Sequence, residues 1–317
     1  MATTEAGLDP AEFAESARRV VDACAGEDAA GCAALLAEAG LLAVLAPEEA
    51  GGLGLPLRFA LPVLQAAGAG DLAFPLLETL LLARHLCGAA PDVAASLVAG
   101  SARGSVAWAG SGPVVGRAPM AEGADWLLAR TDGGAALLPG AALACRPGPG
   151  MDLSVPEYEV EVAGATASVR LDAAAWAALA EDAELLRCAL ILGAAEHCLD
   201  LAVAHVTNRR QFGRPLAAFQ AMRHLLARQK LALEGIRGAL TRAAAADAAP
   251  IARRAAFLAA ATLGPQIAEA AIQAHGGMGF TWDIPLHRYL RRIRSLEAQG
   301  EAAWLRESVA AALIGEN

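Results

Sequence analysis

Asn208-Arg209-Arg210-Gln211-Phe212-Gly213-Arg214-Pro215-Leu216-Ala217-Ala218-Phe219-Gln220 is a polar, basic break between two strongly helical runs. A second break follows at Gln273-Ala274-His275-Gly276-Gly277-Met278-Gly279-Phe280. Pro215 suits the opening turn of a helix, where its missing N–H costs nothing. Arg209 and Arg210 would then stand ahead of that helix, beside the positive end of its dipole, and offer an anion both side-chain and backbone donors. In the second break, paired glycines let backbone approach a ligand where a Cβ would clash. A basic corner and a bare-backbone corner together suit a large phosphate-bearing cofactor. The plain alternative is a capped surface turn and a glycine helix stop, and these residues taken alone leave both open.

Outward from these breaks the chain is helical. Residues 185–206 are apolar nearly all round, as in a helix buried in a bundle or at a subunit contact. Phe219, Met222, Leu226, Gln229, Leu233 and Ile236 repeat every three or four residues as a core stripe. Residues 251–274 read as a helix bent or broken at Gly264-Pro265. Asp283 and Pro285 read as the cap and first turn of a last helix facing inward through Leu286, Leu290, Ile293 and Leu296. Towards the N-terminus, Phe13, Ala17, Val20, Val21 and Cys24 share one helical face. Between the helical halves the period changes to two: Tyr158, Val160 and Val162 alternate with glutamates, and Ala167, Val169 and Leu171 with Ser168 and Arg170. Short apolar runs at 105–109, 126–129, 135–138 and 143–145 are further strands, with Gly133-Gly134 at a hairpin turn. The expected fold is mainly α with a small central β domain: helical over 1–100, a reduced β unit over 101–172, and a C-terminal four-helix bundle over 173–317.

Composition narrows the function. The 317 residues are 56% hydrophobic but only 4% aromatic, which favours helices packed through alanine. The net charge of −9 argues against nucleic acid. Six scattered cysteines without metal-ligand spacing read as small hydrophobes of a reduced, cytoplasmic protein. The polar start, residues 1–9, shows no signal peptide. Mean hydropathy is +0.41, yet every long apolar run is expected to break before membrane-spanning length.

The first break resembles the Arg-x-x-Phe-Gly…Phe-Gln signature of acyl-CoA dehydrogenases, and the second their Gln-x-His-Gly-Gly-x-Gly-Phe loop. Leu45-Ala46-Pro47-Glu48-Glu49-Ala50-Gly51-Gly52-Leu53-Gly54 is similar to a third family segment, and all three occur in family order. The resemblance implies an FAD site between subunits and removal of two vicinal hydrogens from an acyl-CoA thioester. It implies that Arg209, Phe212 and Gln220 contact the adenosine-pyrophosphate half of a flavin. Gln273, Gly276 and Gly277 would line another part of it, with both segments reaching a neighbouring subunit's flavin.

Three departures qualify that implication. The family's Thr-Glu-Pro strand beside the flavin ring is replaced by Ser105-Val106-Ala107-Trp108-Ala109. The Trp-Ile-Thr/Ser hairpin is missing or shortened at 124–134. The catalytic base position falls by ungapped count on Gly300, beside Glu301, or on Ala183, beside Glu184, and one residue on a helix is about 100° of rotation. The catalytic residue is therefore unassigned, with Glu301 and Glu184 as candidates. Both, like Glu297, also read as solvated partners of Arg187, Arg294 or Arg306. Arg288, Arg291, Arg292 and Arg294 read as an exposed basic face, or as a contact for a phosphate of coenzyme A or a neighbouring subunit.

The pattern resembles the smaller subunit of heteromeric acyl-CoA dehydrogenases of steroid side-chain type. That implies a larger acyl-CoA dehydrogenase-like partner, a tetramer of two small and two large subunits, and electron-transfer flavoprotein as electron acceptor. The apolar helices 185–206 and 251–274, with Ala194, Ala195, Ala202, Ala259, Ala260 and Ala261, are expected at its centre. A self-sufficient homomer using Glu301 or Glu184, a related oxidation of a non-thioester substrate, and a non-catalytic structural subunit stay open.

Overall fold

A computed structural model describes residues 9–315, so the start read for a signal peptide lies almost wholly outside it. Five helices lead: α1 (Glu12–Ala23), α2 (Ala29–Glu38), α3 (Leu61–Ala69), α4 (Leu76–His85) and α5 (Pro91–Val98). Strands follow: β1 (Gly104–Ala107), β2 (Val114–Pro119), β3 (Trp126–Thr131), β4 (Gly134–Pro139), β5 (Ala144–Pro147), β6 (Glu157–Glu161) and β7 (Val169–Asp172). The chain then turns helical in α6 (Ala173–Asn208), passes through a two-strand hairpin, β8 (Arg210–Gln211) and β9 (Arg214–Pro215), and continues as α7 (Gln220–Ala243), α8 (Pro250–His275), α9 (Leu286–Gln299) and α10 (Ala302–Gly315).

The strands form two small sheets, ordered β1-β3-β4-β7 and β2-β6-β5. Alternation on the first sheet explains its position. Leu127, Ala129, Ala136 and Leu138 face the second sheet in a core of their own. The intervening Leu128, Ala135 and Leu137 join the main core shared with the helices. β3 runs directly into β4 through Asp132-Gly133, with Thr131 opposite Gly134. β2 escapes sequence reading because its register shifts between Val115 and Ala118, where Arg117 takes a left-handed φ of 50°.

α6 starts earlier than periodicity suggested because Asp172 caps it, accepting from the Ala175 N–H at 2.8 Å. It packs on α3 through a glycine contact: a Cβ at Gly68 would collide with the Leu190 carbonyl, and one at Gly193 with that of Gln65. α8 is continuous through Pro265, contrary to the expected break. Its Gly264 lets α6 approach, since a Cβ there would meet Ile191 Cγ2 at 2.5 Å. Pro285 rather than Asp283 precedes α9, no side chain caps that helix, and α10 makes α9 the penultimate helix.

Three further expectations change. α6 and the helical run 251–280 are each long and apolar enough, by length and composition, to cross a membrane, but 61% of each apolar window is buried inside the fold, as in core helices. Ala194, Ala195, Ala202, Ala260 and Ala261 are buried within the chain itself, so those faces need no second subunit to cover them. The α9 arginines are mostly tied internally. Arg292 and Arg288 bond Asp152 and Asp71, each at 2.7 Å, and Arg294 bonds Glu297 at 2.8 Å. All six cysteines are free, and Cys24, Cys32, Cys188 and Cys198 are buried.

Candidate functional site

α6 and α8 run side by side in the same direction. Asp182 pairs with Arg253 at 2.8 Å near their starts, and His205 stacks on His275 at 4.2 Å near their ends. That arrangement sorts the residues singled out from sequence into two groups at opposite ends of the bundle.

At the C-terminal end of α6 and α8 lie Arg209, Phe212, Gln220, Gln273, Gly276 and Gly277, all exposed. Arg209 caps the end of α6, its N–H bonding the His205 carbonyl at 2.8 Å. It is therefore beside the negative end of that helix, not the positive end of α7. Pro215 belongs to β9 and leads into a single 3-10 turn, and α7 opens later, at Gln220. Between β8 and β9 the turn is Phe212-Gly213, with φ of 53° and 77°, the geometry of a two-residue hairpin that needs left-handed backbone at both positions. A phenylalanine in that conformation is strained, and its ring is 90% exposed. Arg214 stacks over Phe219 at 4.0 Å, which stiffens the hairpin base.

The glycine loop closes α8 at the same end. Gly276 has φ 62°, whereas a Cβ at Gly277 would meet nothing within 4 Å in this chain. Gly277 is thus free for an approach from outside. His275 donates through Nδ1 to the Ala271 carbonyl at 2.8 Å, a tie to its own helix. Burial, then His275 and Arg209, pull the His205 imidazole down from its usual range. Met278, Phe280 and Trp282 add 50%, 77% and 72% exposed apolar side chains beside the loop. An Arg209 guanidinium without an ion pair among the described residues, open glycine backbone and aromatic flanks fit an anionic, planar, nucleotide-like group. The third motif does not join them: a Cβ at Gly52 would collide with the Ala46 carbonyl, so that loop's tightness serves its own packing.

The opposite end holds both base candidates around a cleft of about 880 Å³. α6 contributes Trp176, Ala177, Ala180, Glu181, Glu184 and Arg187, one stripe hollowed by the two alanines. Gly300 is pressed against Phe257, whose ring occupies the space of a Cβ, so the position counted for the base cannot carry any side chain without rearrangement. Glu301 follows in left-handed backbone, φ 48°, at the joint between α9 and α10, and is exposed. Glu184 is half-buried, its Oε2 has no hydrogen-bond partner, and burial pushes its carboxyl up to about 7, against the pull of Arg254 and Arg187.

Sequence reading missed what fills the inner wall. Trp108 stands where the Thr-Glu-Pro strand was expected and donates from its indole N–H to the buried Glu78 at 2.9 Å. The Arg187 guanidinium lies over its ring at 3.9 Å, and Trp176 packs at 6.1 Å. This stack occupies the inner wall at the end of β1, where the resemblance implied the Thr-Glu-Pro contact to a flavin ring, so the residues present do not supply that contact in this chain's own cleft.

Because Glu184 holds its proton more tightly folded than unfolded, its contribution to stability is complete below about pH 4.5 and lost as pH rises through about 7. Glu184→Gln should therefore gain melting temperature on the wild type between pH 5 and pH 8. An equal gap at both pH values would show that Glu184 titrates normally.

Residues 176–314 match the acyl-CoA dehydrogenase C-terminal domain family. Acyl-CoA dehydrogenase IpdE2 of Mycolicibacterium smegmatis is 31% identical over 259 residues, covering 81% of this chain and 79% of that protein. The ChsE4–ChsE5 complex from Mycobacterium tuberculosis contains a chain of 27% identity that superposes with a TM-score of 0.87, covering 98% of both chains. The Tcur3481–Tcur3483 steroid acyl-CoA dehydrogenase, a G363A variant, gives 26% identity and a TM-score of 0.86, covering 97% of this chain and 98% of that one. This chain belongs to the acyl-CoA dehydrogenase family.

Proposed function

We propose that this chain is the smaller subunit of a heteromeric FAD-dependent acyl-CoA dehydrogenase, lending one bundle end to the flavin of a larger family partner. The supporting observation is the division between its two ends. Arg209, Gln220, Gln273 and Gly277 are exposed together at one, whereas at the other Trp108, stacked under Arg187, stands in place of the family's flavin-ring strand. The likeness to a ChsE4–ChsE5 complex and to a steroid acyl-CoA dehydrogenase favours a bulky, steroid-derived acyl-CoA as substrate.

The chemistry bound FAD would supply is acceptance of a hydride from the β-carbon, with electron-transfer flavoprotein as onward acceptor. Within that reaction Arg209 neutralises pyrophosphate charge, Gln220 and Gln273 offer amide hydrogen bonds, and Gly277 admits the cofactor to the backbone. The carboxylate that removes the α-proton comes from the partner. A second reading has one observation in its favour: Glu184, at about 7 in a cleft, has the poise of a general base. In a self-sufficient homomer Glu184→Gln would abolish turnover, and in the heteromer it leaves turnover largely intact.

The exposed Phe212, Phe280 and Trp282 favour a partner contact at the bundle end. Light scattering of the chain co-expressed with a larger family member should give the mass of two small and two large subunits. A monodisperse monomer in the partner's presence would refute the assembly and the shared site together.

A further inference from the structure

The cleft at the far end of the bundle retains an expensive group that the flavin-lending reading does not use. Arg187 is 2% exposed, and among the described residues it makes no hydrogen bond or ion pair. Its Nε and Nη2 are buried and unsatisfied, and these are the two nitrogens on one edge of the guanidinium fork. A buried cation without a hydrogen bond is costly, and the Trp108 ring face and the charges of nearby carboxylates, Glu78 foremost, offset only part of that cost. An arginine kept for packing alone would be better replaced by an apolar side chain of similar volume.

Its surroundings limit what could complete it. Glu157 is committed to Arg117 at 3.2 Å and to Gln299 at 3.0 Å, and Glu78 to Trp108. Arg294 holds Glu297, and Glu181 lies 3.9 Å from Arg254. Of the carboxylates whose charge acts on the guanidinium, Glu78 foremost, Glu184 and Glu301 are the two whose side chains bond no other group among the described residues, and neither bonds Arg187. Beyond them the cleft walls are Trp176, Trp304 and Met151 over the alanine floor.

We propose that this cleft binds an apolar carboxylic acid, whose carboxylate takes the free edge of Arg187 while its body lies between Trp176 and Trp304. The fork edge matches two oxygens in one plane, which selects a carboxylate over a single carbonyl. A phosphate dianion would bring a second charge against Glu184 and Glu301, whereas a monoanion needs less compensation. Glu184, holding its proton near neutrality, removes one repulsion and can donate to the ligand. Both nitrogens are covered in this structure, so binding requires the guanidinium to turn over the indole face to present this edge to the ligand. A cleft of this volume suits a multi-ring body. The site lies about 33 Å along α6 from Arg209, at the other end of the bundle from the residues read for flavin.

Calorimetric titration of the full chain with 2-naphthoate, and with 2-naphthamide as the neutral isostere, tests this. For a probe of that size, saturable 1:1 binding with Kd of about 1 mM or tighter is expected. The acid should bind at least about tenfold better than the amide. Arg187→Met removes both charge and fork and should erase the preference, whereas Arg187→Lys keeps the charge but removes the fork and should weaken it. Absence of saturable binding overturns the proposal, as does equal affinity for acid and amide in the wild type. A preference that survives undiminished in a folded Arg187→Met protein overturns it too.

Discussion

Replacing Arg209 with alanine should strip flavin from the assembled enzyme while leaving the subunits together. Arg209 sits on the exposed joint between α6 and the 210–215 hairpin, with no ion pair among the described residues to hold it. Removing it disturbs nothing in the core, so the fold should tolerate the change to within about 0.5 kcal/mol. A charge-assisted contact to pyrophosphate typically contributes about 1.5–3 kcal/mol, which is roughly one to two decades in flavin affinity. Gel filtration should therefore return a complex of unchanged size that bleaches on dilution. Glu301→Gln, by contrast, should leave flavin content and turnover within about twofold, since Glu301 is exposed and off the bundle end. If Glu301→Gln abolishes turnover with flavin still bound, the base is in this chain and the heteromeric reading loses its support.

Gly300→Glu should destabilise the chain and confer no activity. This substitution puts a carboxylate at the position where ungapped counting locates the family's base. The backbone passes so close to the fully buried Phe257 that even a Cβ would overlap its ring. Overpacking of this kind costs about 1–3 kcal/mol, and a carboxylate forced into the same space adds a desolvation penalty of similar size. A fall of at least about 2 kcal/mol in denaturant-derived stability is expected, with Gly300→Ala showing the steric part alone. Unchanged stability together with acyl-CoA-dependent flavin reduction would mean that only one side chain separates this subunit from a complete enzyme.

What the sequence revealed follows the range of the physics. Local periodicity disclosed most helices and the alternating strands, because burial of one face repeats within a few residues. The breaks at 208–220 and 273–280 were visible as chemistry, but their geometry was not. Pro215 has the fixed φ of a helix start, and the same φ serves the end of a hairpin strand, so the turn at Phe212-Gly213 went unread. α8 runs unbroken through Pro265, with Gly264 packed against Ile191 one residue before it. The Trp108–Arg187 stack joins residues far apart in the chain, and nothing local in either segment announces it. The alanine-rich helices misled for a related reason: composition shows that close approach is possible, and only the fold shows that it is satisfied internally.

The most direct measurement of the central claim is the flavin-to-chain ratio of this protein purified alone and purified with a larger acyl-CoA dehydrogenase-like partner. The division of the bundle into a lending end and an end without the family's flavin-ring residues predicts almost no flavin in the chain alone, and a yellow complex whose flavin depends on Arg209. Stoichiometric FAD retained by the chain alone would contradict it.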